Sequence, residues 1–149
     1  MNDTIECLAG NPSLRQAFRD YFAELGVTVR DWDSLFDEID RSGRKFLVRR
    51  DEQAQITGFL LFLQREMTCG FYTTDVGCIE ELYVVPARRQ RGHGQSLLAA
   101  AETRFRADGC GYMLLTSDDA GAFYARCGYH PAPRIRAKNG DPVFVKPLG

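Results

Sequence analysis

The chain lacks any long hydrophobic run. Its longest uninterrupted apolar stretches are Phe59–Leu63 and Leu97–Ala101, far short of the roughly 20 residues a membrane helix needs. Met1–Glu6 carries neither a basic start nor an apolar core, so no export signal is expected. The five cysteines are odd in number and form no C-x-x-C pair, which speaks against a disulfide framework and a zinc site. Free thiols without an export signal point to the cytoplasm. No repeat and no low-complexity tract occurs. Apolar residues make up 44% and charged residues 26% of 149, the composition of a single globular domain rather than a disordered chain.

Net charge is also nearly absent, at −1, but it is unevenly spread. Residues 1–87 hold nine Lys/Arg against fifteen Asp/Glu, and residues 88–149 hold ten against five. An acidic front and a basic back suggest partners of opposite charge, or chance on a solvated surface.

Hydrophobic spacing sets the element order. Thr4–Leu8 is a short strand candidate. Asn11-Pro12 offers a cap and a proline in the first turn. Leu14, Phe18, Tyr21, Phe22 and Leu25 follow at helical spacing, stopped by Gly26. Trp32, Leu35, Phe36 and Ile39 mark a second, shorter helix. Strands are then predicted over Lys45–Arg50, Ile56–Leu63 and Cys78–Val85, the last halted by Pro86. Thr68–Gly77, polar and glycine-containing, reads as a loop over a substrate. A helix over Gly94–Asp108, a strand over Tyr112–Leu115, a short helix over Ala120–Cys127 and a strand over Val143–Val145 complete one mixed α/β domain. Cys78 and Cys127, among apolar neighbours, read as small buried hydrophobes.

The most informative segment runs from Leu82 to Leu98. A strand ends, and a loop with Gly92 and Gly94 opens a helix. Unpartnered N–H groups at a helix start, together with the helix dipole, form an anion site, and Arg88, Arg89 and Arg91 add positive charge. The segment is not a Walker loop, since no G-x-x-x-x-G-K-[ST] is present. Nor is it a dinucleotide fingerprint, because Leu97 stands where the third glycine belongs.

Arg89-x-x-Gly92-x-Gly94 after Leu82-x-Val84-x-Pro86 resembles the signature of the GCN5-related N-acetyltransferase superfamily. A second element of that family, an aromatic-Tyr pair before Gly-aromatic, resembles Phe123-Tyr124-Ala125-Arg126-Cys127-Gly128-Tyr129, about 30 residues further on. The element order extends the likeness over essentially the whole chain. The resemblance implies a mostly antiparallel sheet with a splayed parallel strand pair, flanked by helices. It implies acetyl-CoA as co-substrate and no metal. Arg89, Gln90, Arg91, Gly92, His93 and Gly94, with Gln95 and Ser96 in the first helical turn, would hold its pyrophosphate. Leu82, Tyr83 and Val84 would pair with the pantetheine arm, and the Val84 N–H would polarise the thioester carbonyl. Tyr124 falls on the usual proton donor to the departing thiolate, with packing against the CoA arm as the bland alternative.

The base is less defined by the motif. Glu80 and Glu81 are adjacent on a strand and so face opposite sides. Glu-Glu-Leu-Tyr-Val resembles the diamine and polyamine acetyltransferases of the superfamily. Glu80 lies on their catalytic glutamate, and Glu81 on the neighbouring acid that attracts a cationic substrate. Asp118 and Asp119 depart from the family's asparagine, and lining the acceptor site is an alternative role for them. His93 is expected to be an exposed, variable loop position, and His130 carries no assigned chemistry. Trp32, Phe36, Phe71 and Tyr72 lie where the family builds its acceptor pocket, although core packing explains Trp32 and Phe36 equally well.

The leading expectation is therefore acetyl transfer to a primary amine on a cationic small molecule. The alternatives are a non-catalytic acyl-CoA-binding sensor on the same fold, or transfer to a protein amine. Nucleic-acid binding through Arg88–Arg91 is disfavoured, because one short basic run at a pI near 6.1 is too small a footprint. No membrane partner is expected. A homodimer is left open, since relatives are often dimers.

Overall fold

The computed structural model describes residues 4–8 and 12–149, with the backbone alone described at 4, 6–8, 69 and 72. The elements are β1 (Thr4–Leu8), α1 (Pro12–Leu25), α2 (Trp32–Arg41), β2 (Lys45–Arg50), β3 (Ile56–Cys69), β4 (Tyr72–Val84), α3 (His93–Ala107), β5 (Cys110–Thr116), α4 (Gly121–Arg126), β6 (His130–Pro131) and β7 (Val143–Pro147). The strands form one seven-stranded sheet in the order β1-β2-β3-β4-β5-β7-β6. It is mostly antiparallel, with β4 and β5 as the parallel pair. The predicted cap at Asn11 lies outside the described residues.

Local chemistry explains the helix ends. Gly26 takes φ 73° after α1. Its N–H donates to Ala23 O at 3.1 Å, and the Val27 N–H donates to Phe22 O at 3.0 Å. These two bonds satisfy the carbonyls that a helix end leaves open, and the left-handed residue they require is glycine. Asp31 caps α2, its carboxylate accepting from Ser34 N at 3.1 Å and from Ser34 Oγ at 2.8 Å.

The segment expected to be a loop, Thr68–Gly77, is instead the outer half of a long β3–β4 hairpin turning at Gly70 and Phe71. Arg65, Glu66, Met67 and Thr68 are all exposed. With both faces in water, no apolar alternation marks the strand. Thr68 Oγ1 and Thr73 Oγ1, 3.0 Å apart, hold it across the hairpin. Phe71 at the tip is fully exposed, so the pocket role expected for it finds no support.

The chain forms two compact units, residues 1–61 with 81–100 and residues 62–80 with 101–149. In the first, α1 and α2 cover β2, β3 and the end of β4 through Leu14, Phe18, Phe36, Ile39, Phe46, Val48, Phe59, Leu61 and Tyr83. The Phe18 ring lies 4.8 to 6.5 Å from the rings of Phe22, Trp32, Phe36, Phe46 and Phe59. Trp32 stacks on Phe36 at 5.7 Å. Of their two expected roles, both aromatics take the core one. In the second unit, Phe105 of α3 is fully buried. Its ring lies 5.3 Å from that of Phe62 and fills the space over Gly77, where a β-carbon would stand 2.3 Å from it. The parallel ladder pairs Asp75–Cys78 with Cys110–Leu114 and ends there, although β4 continues to Val84.

Candidate active site

The predicted anion loop belongs to the first unit. The Val85 N–H donates to Thr57 O at 2.9 Å, ending β4, and Pro86–Arg88 then form one 3₁₀ turn. Gln90 and Gly92 both adopt left-handed backbone, at φ 62° and 81°. A β-carbon there costs about 1–2 kcal/mol, so the loop stores strain at Gln90 and avoids it at Gly92. A β-carbon at Gly92 would meet no atom within 4 Å, which leaves open space for a bulky group against the backbone. The Ser96 N–H donates to Gly92 O at 2.9 Å. This is the first i→i−4 bond of α3, so the N–H groups of His93, Gly94 and Gln95 stand ahead of the ladder at the positive end of the helix. That is the chemistry of a phosphate cradle.

The loop arginines behave differently from the sequence expectation. Arg89 makes a bidentate pair with Glu24 of α1, both contacts at 2.6 Å. Its Nε donates to Val84 O at 2.9 Å, and it lies over the Tyr83 ring at 5.6 Å. The hydrogen bond and charge of Glu24 hold its guanidinium above the usual arginine range, and the Glu24 carboxyl is correspondingly lowered. The Arg89 N–H is given to Pro86 O at 3.3 Å. Arg88 pairs with the buried Asp51 at 2.9 Å. Asp51 also accepts from the N–H groups of Gln53 and Gln55, at 2.9 and 3.0 Å. Two of the three loop cations are thus engaged with acids of their own unit, whereas the exposed Arg91 makes no ion pair among the described residues. Arg49 of β2, which the sequence did not single out, donates to Ser96 Oγ in the first turn of α3.

The expectation that His93 is exposed is overturned, because the first residue of α3 is buried, at 8% exposure. The loop folds its side chain inward while its N–H stays at the helix end. Gln90, Arg91 and Gln95 are exposed, whereas Gly94 and Ser96 are half-buried.

On β4 the acids separate as their alternation requires. Glu80 is exposed and Glu81 half-buried. Glu81 accepts a hydrogen bond from the hydroxyl of Tyr21 on α1. Tyr83, on the same strand face as Glu81, is buried and 5.2 Å from the Tyr21 ring. Burial raises the Tyr83 phenol above its ordinary range. Leu82 and Val84 are half-buried on the alternate positions.

Tyr124 belongs to the second unit. It is buried on α4 at 8% exposure, with ring centroids 5.1 Å from Phe123, 5.8 Å from Tyr129 and 6.2 Å from Phe144. The Tyr129 N–H donates to Tyr124 O at 3.0 Å, and Ser117 Oγ accepts from the Ala120 N–H at 2.9 Å at the start of α4. Lys146 of β7 fixes the other end, donating to Cys127 O at 3.0 Å and to Glu102 at 2.7 Å. Burial opposes ionisation of Glu102, but the bonds and charges of Lys146 and Arg106 outweigh it and hold its carboxyl below the usual range. Burial pushes the Tyr129 phenol far up, so this neighbour of Tyr124 stays protonated. Asp118 and Asp119, just before α4, are exposed, as is His130. Cys110 is buried, Cys78 and Cys127 are half-buried, and all three are free thiols raised by burial. Among the described residues no cluster of His, Cys, Asp or Glu could hold a metal ion, and no helix is long and apolar enough to cross a membrane.

Comparison with known proteins places these features in context. The model of the acetyltransferase (GNAT) family matches residues 11–129. No curated protein matches the chain. A GNAT-family acetyltransferase from Staphylococcus aureus Mu50 shares 15% identity at a TM-score of 0.71, covering 98% of this chain and 100% of its own. An aminoglycoside 6′-N-acetyltransferase complexed with coenzyme A shares 16% at a TM-score of 0.75, covering 98% and 97%. N-acetylglutamate synthase from Neisseria gonorrhoeae, complexed with coenzyme A and N-acetyl-glutamate, shares 19% at a TM-score of 0.72, covering 100% of this chain and 36% of its own. At these identities the structural likeness carries the fold.

Proposed function

The chain belongs to the acetyltransferase (GNAT) family, and from that premise we propose that it transfers the acetyl group of acetyl-CoA to a primary amine on a small cationic molecule. In this reading the chain works as one N-acetyltransferase domain in the cytoplasm. The observation that carries the reading is the loop at the head of α3. Gly92 is left-handed with open space beside it, and the N–H groups of His93, Gly94 and Gln95 stand ahead of the first helical bond. These donors suit the pyrophosphate of the donor substrate, with Gln90, Arg91 and Ser96 around them. The edge of β4 beyond its parallel ladder, at Leu82, Tyr83 and Val84, suits an extended amide arm.

The chemistry follows from the groups available. A protonated amine has no lone pair, so a Glu80 or Glu81 carboxylate takes its proton. The freed nitrogen attacks the thioester carbonyl, whose oxygen is stabilised by the Val84 N–H. The C–N bond forms, the C–S bond breaks, the thiolate takes a proton from the Tyr124 hydroxyl, and the second proton lost by the acylated nitrogen restores that hydroxyl. The acidic front half of the chain favours a cationic acceptor.

Release of free CoA thiol, followed against a panel of primary amines, tests the proposal. Tyr124→Phe should lower kcat by about 10²-fold with little change in the affinity for acetyl-CoA. An unchanged kcat would remove Tyr124 as the acid.

A further inference from the structure

The acetyl-transfer reading above uses no residue of the connection between β6 and β7. Beyond that reading, we propose that this connection holds a binding site for a small apolar carboxylate. Residues 131–143 line a cavity of about 410 Å³, within the roughly 300–1,000 Å³ typical of small-molecule sites. Its wall is apolar at Pro131, Pro133, Ile135 and Val143, and Arg136 and Asp141 are the two ionisable residues that line it. An apolar wall with a few polar groups is the lining such sites have. The charge decides the sign of the ligand. The connection carries Arg134, Arg136 and Lys138 against the single acid Asp141. Asp141 accepts from Asn139 Nδ2 at 2.9 Å, so the acid already has a donor. None of the three cations makes an ion pair among the described residues. A surplus of positive charge favours an anion, and a guanidinium meets a planar carboxylate through two parallel hydrogen bonds.

The cavity is built rather than incidental. The Ala132 N–H donates to Val143 O at 2.8 Å and closes the base of the connection. Two tight turns follow, with the Ile135 N–H on Ala132 O at 3.0 Å and the Gly140 N–H on Ala137 O at 3.1 Å. Gly140 takes the left-handed backbone, at φ 80°. The Asp141 N–H returns to Asn139 Oδ1 at 3.0 Å, and the Ser117 N–H donates to Pro142 O at 3.1 Å. Prolines at 131, 133 and 142 fix three further φ angles. A wall held this way loses little freedom when a ligand enters, which favours affinity. Ile135 is nonetheless 47% exposed, apolar surface that the fold leaves in water and that an apolar ligand body would cover.

The test is calorimetric titration of the full chain with 4-methylpentanoate, a branched apolar carboxylate, with and without saturating CoA. Saturable binding at one site is expected in both conditions. Arg136→Gln removes the charge and should weaken binding about tenfold or more, the scale of a hydrogen bond between charged groups. Ala137→Phe fills the cavity and should abolish binding, with the affinity for CoA unchanged in both variants. Acetate, which lacks the apolar body, and 3-methylbutylamine, which carries the opposite charge, should each bind at least tenfold more weakly than 4-methylpentanoate. The inference is overturned if the wild type shows no saturable binding at millimolar concentration, if the amine binds as well as the carboxylate, or if Arg136→Gln binds like the wild type. Binding that CoA abolishes would place the carboxylate at the donor site and overturn it too. Thiol release from acetyl-CoA with primary amines decides the acetyl-transfer reading separately, whichever of these results is obtained.

Discussion

Arg89 illustrates how a residue's type can be legible while its partner is not. The motif marks it, and the chain shows a cation beside two glycines, where a phosphate contact is the natural reading. Its carboxylate partner is Glu24, 65 residues earlier, and no local pattern announces a pairing at that range. Gly92 was legible for the opposite reason, since its left-handed backbone is a property of its own loop. The Glu24–Arg89 pair is about 40% exposed on both sides, so it contributes little stability. Glu24→Gln should therefore cost under about 1 kcal/mol in urea unfolding and yet raise the KM for acetyl-CoA several-fold, because Arg89 then loses the tether that holds the loop over Val84. A large loss of stability with an unchanged KM would mark the pair as purely structural.

At the scale of elements, the helices were legible because each buries one face, and the inner strands because their apolar runs, Phe46–Val48 and Phe59–Phe62, bury both. Leu14 and Phe18 on α1, and Leu97, Leu98, Ala101 and Phe105 on α3, repeat at helical spacing and are buried. The tip of the β3–β4 hairpin was not legible, because Arg65–Thr68 expose both faces and buried residues resume only toward Val76. Nor was the two-residue β6, which exists only through its pairing with Phe144 and Val145 of β7. Gly77 shows why β4 must be bare where α3 crosses it. Gly77→Ala would drive a methyl group into the Phe105 ring and should cost about 1–3 kcal/mol of unfolding free energy; an unchanged urea midpoint would contradict this packing.

Lys146 is the corresponding polar device, joining α3 to the C-terminal end of α4. Lys146→Met should destabilise by about 1–2 kcal/mol at neutral pH. Because the Glu102 carboxyl is lower folded than unfolded, its stabilisation is present above the ordinary carboxylate pKa of about 4.3 and is lost as pH falls through the folded value. The gap between wild type and variant should then close in acid. A gap independent of pH would show that Lys146 acts through its alkyl stem alone.

For the whole molecule, the opposed charges of the two halves of the sequence turn out to meet in part. Arg88 and Arg89 from the basic back half are paired with Asp51 and Glu24 from the acidic front half. Back-half cations that make no ion pair among the described residues include Arg91 in the loop and Arg134, Arg136 and Lys138 between β6 and β7. In the proposed reading, anion binding at the head of α3 would therefore rest more on backbone N–H groups and the helix end than on a cluster of arginines. That makes Gly92 the position on which the account depends. Aspartate there would adopt a strained backbone and set a negative charge at the phosphate cradle. The decisive measurement is release of free CoA thiol from acetyl-CoA across a panel of primary amines, with wild type and Gly92→Asp side by side and acetyl-CoA binding followed in parallel. The account predicts amine-dependent release by the wild type, and loss of both binding and release in Gly92→Asp. Tight acetyl-CoA binding without release for any amine would instead identify a non-catalytic acyl-CoA sensor, and undiminished binding by Gly92→Asp would contradict the assignment of the loop itself.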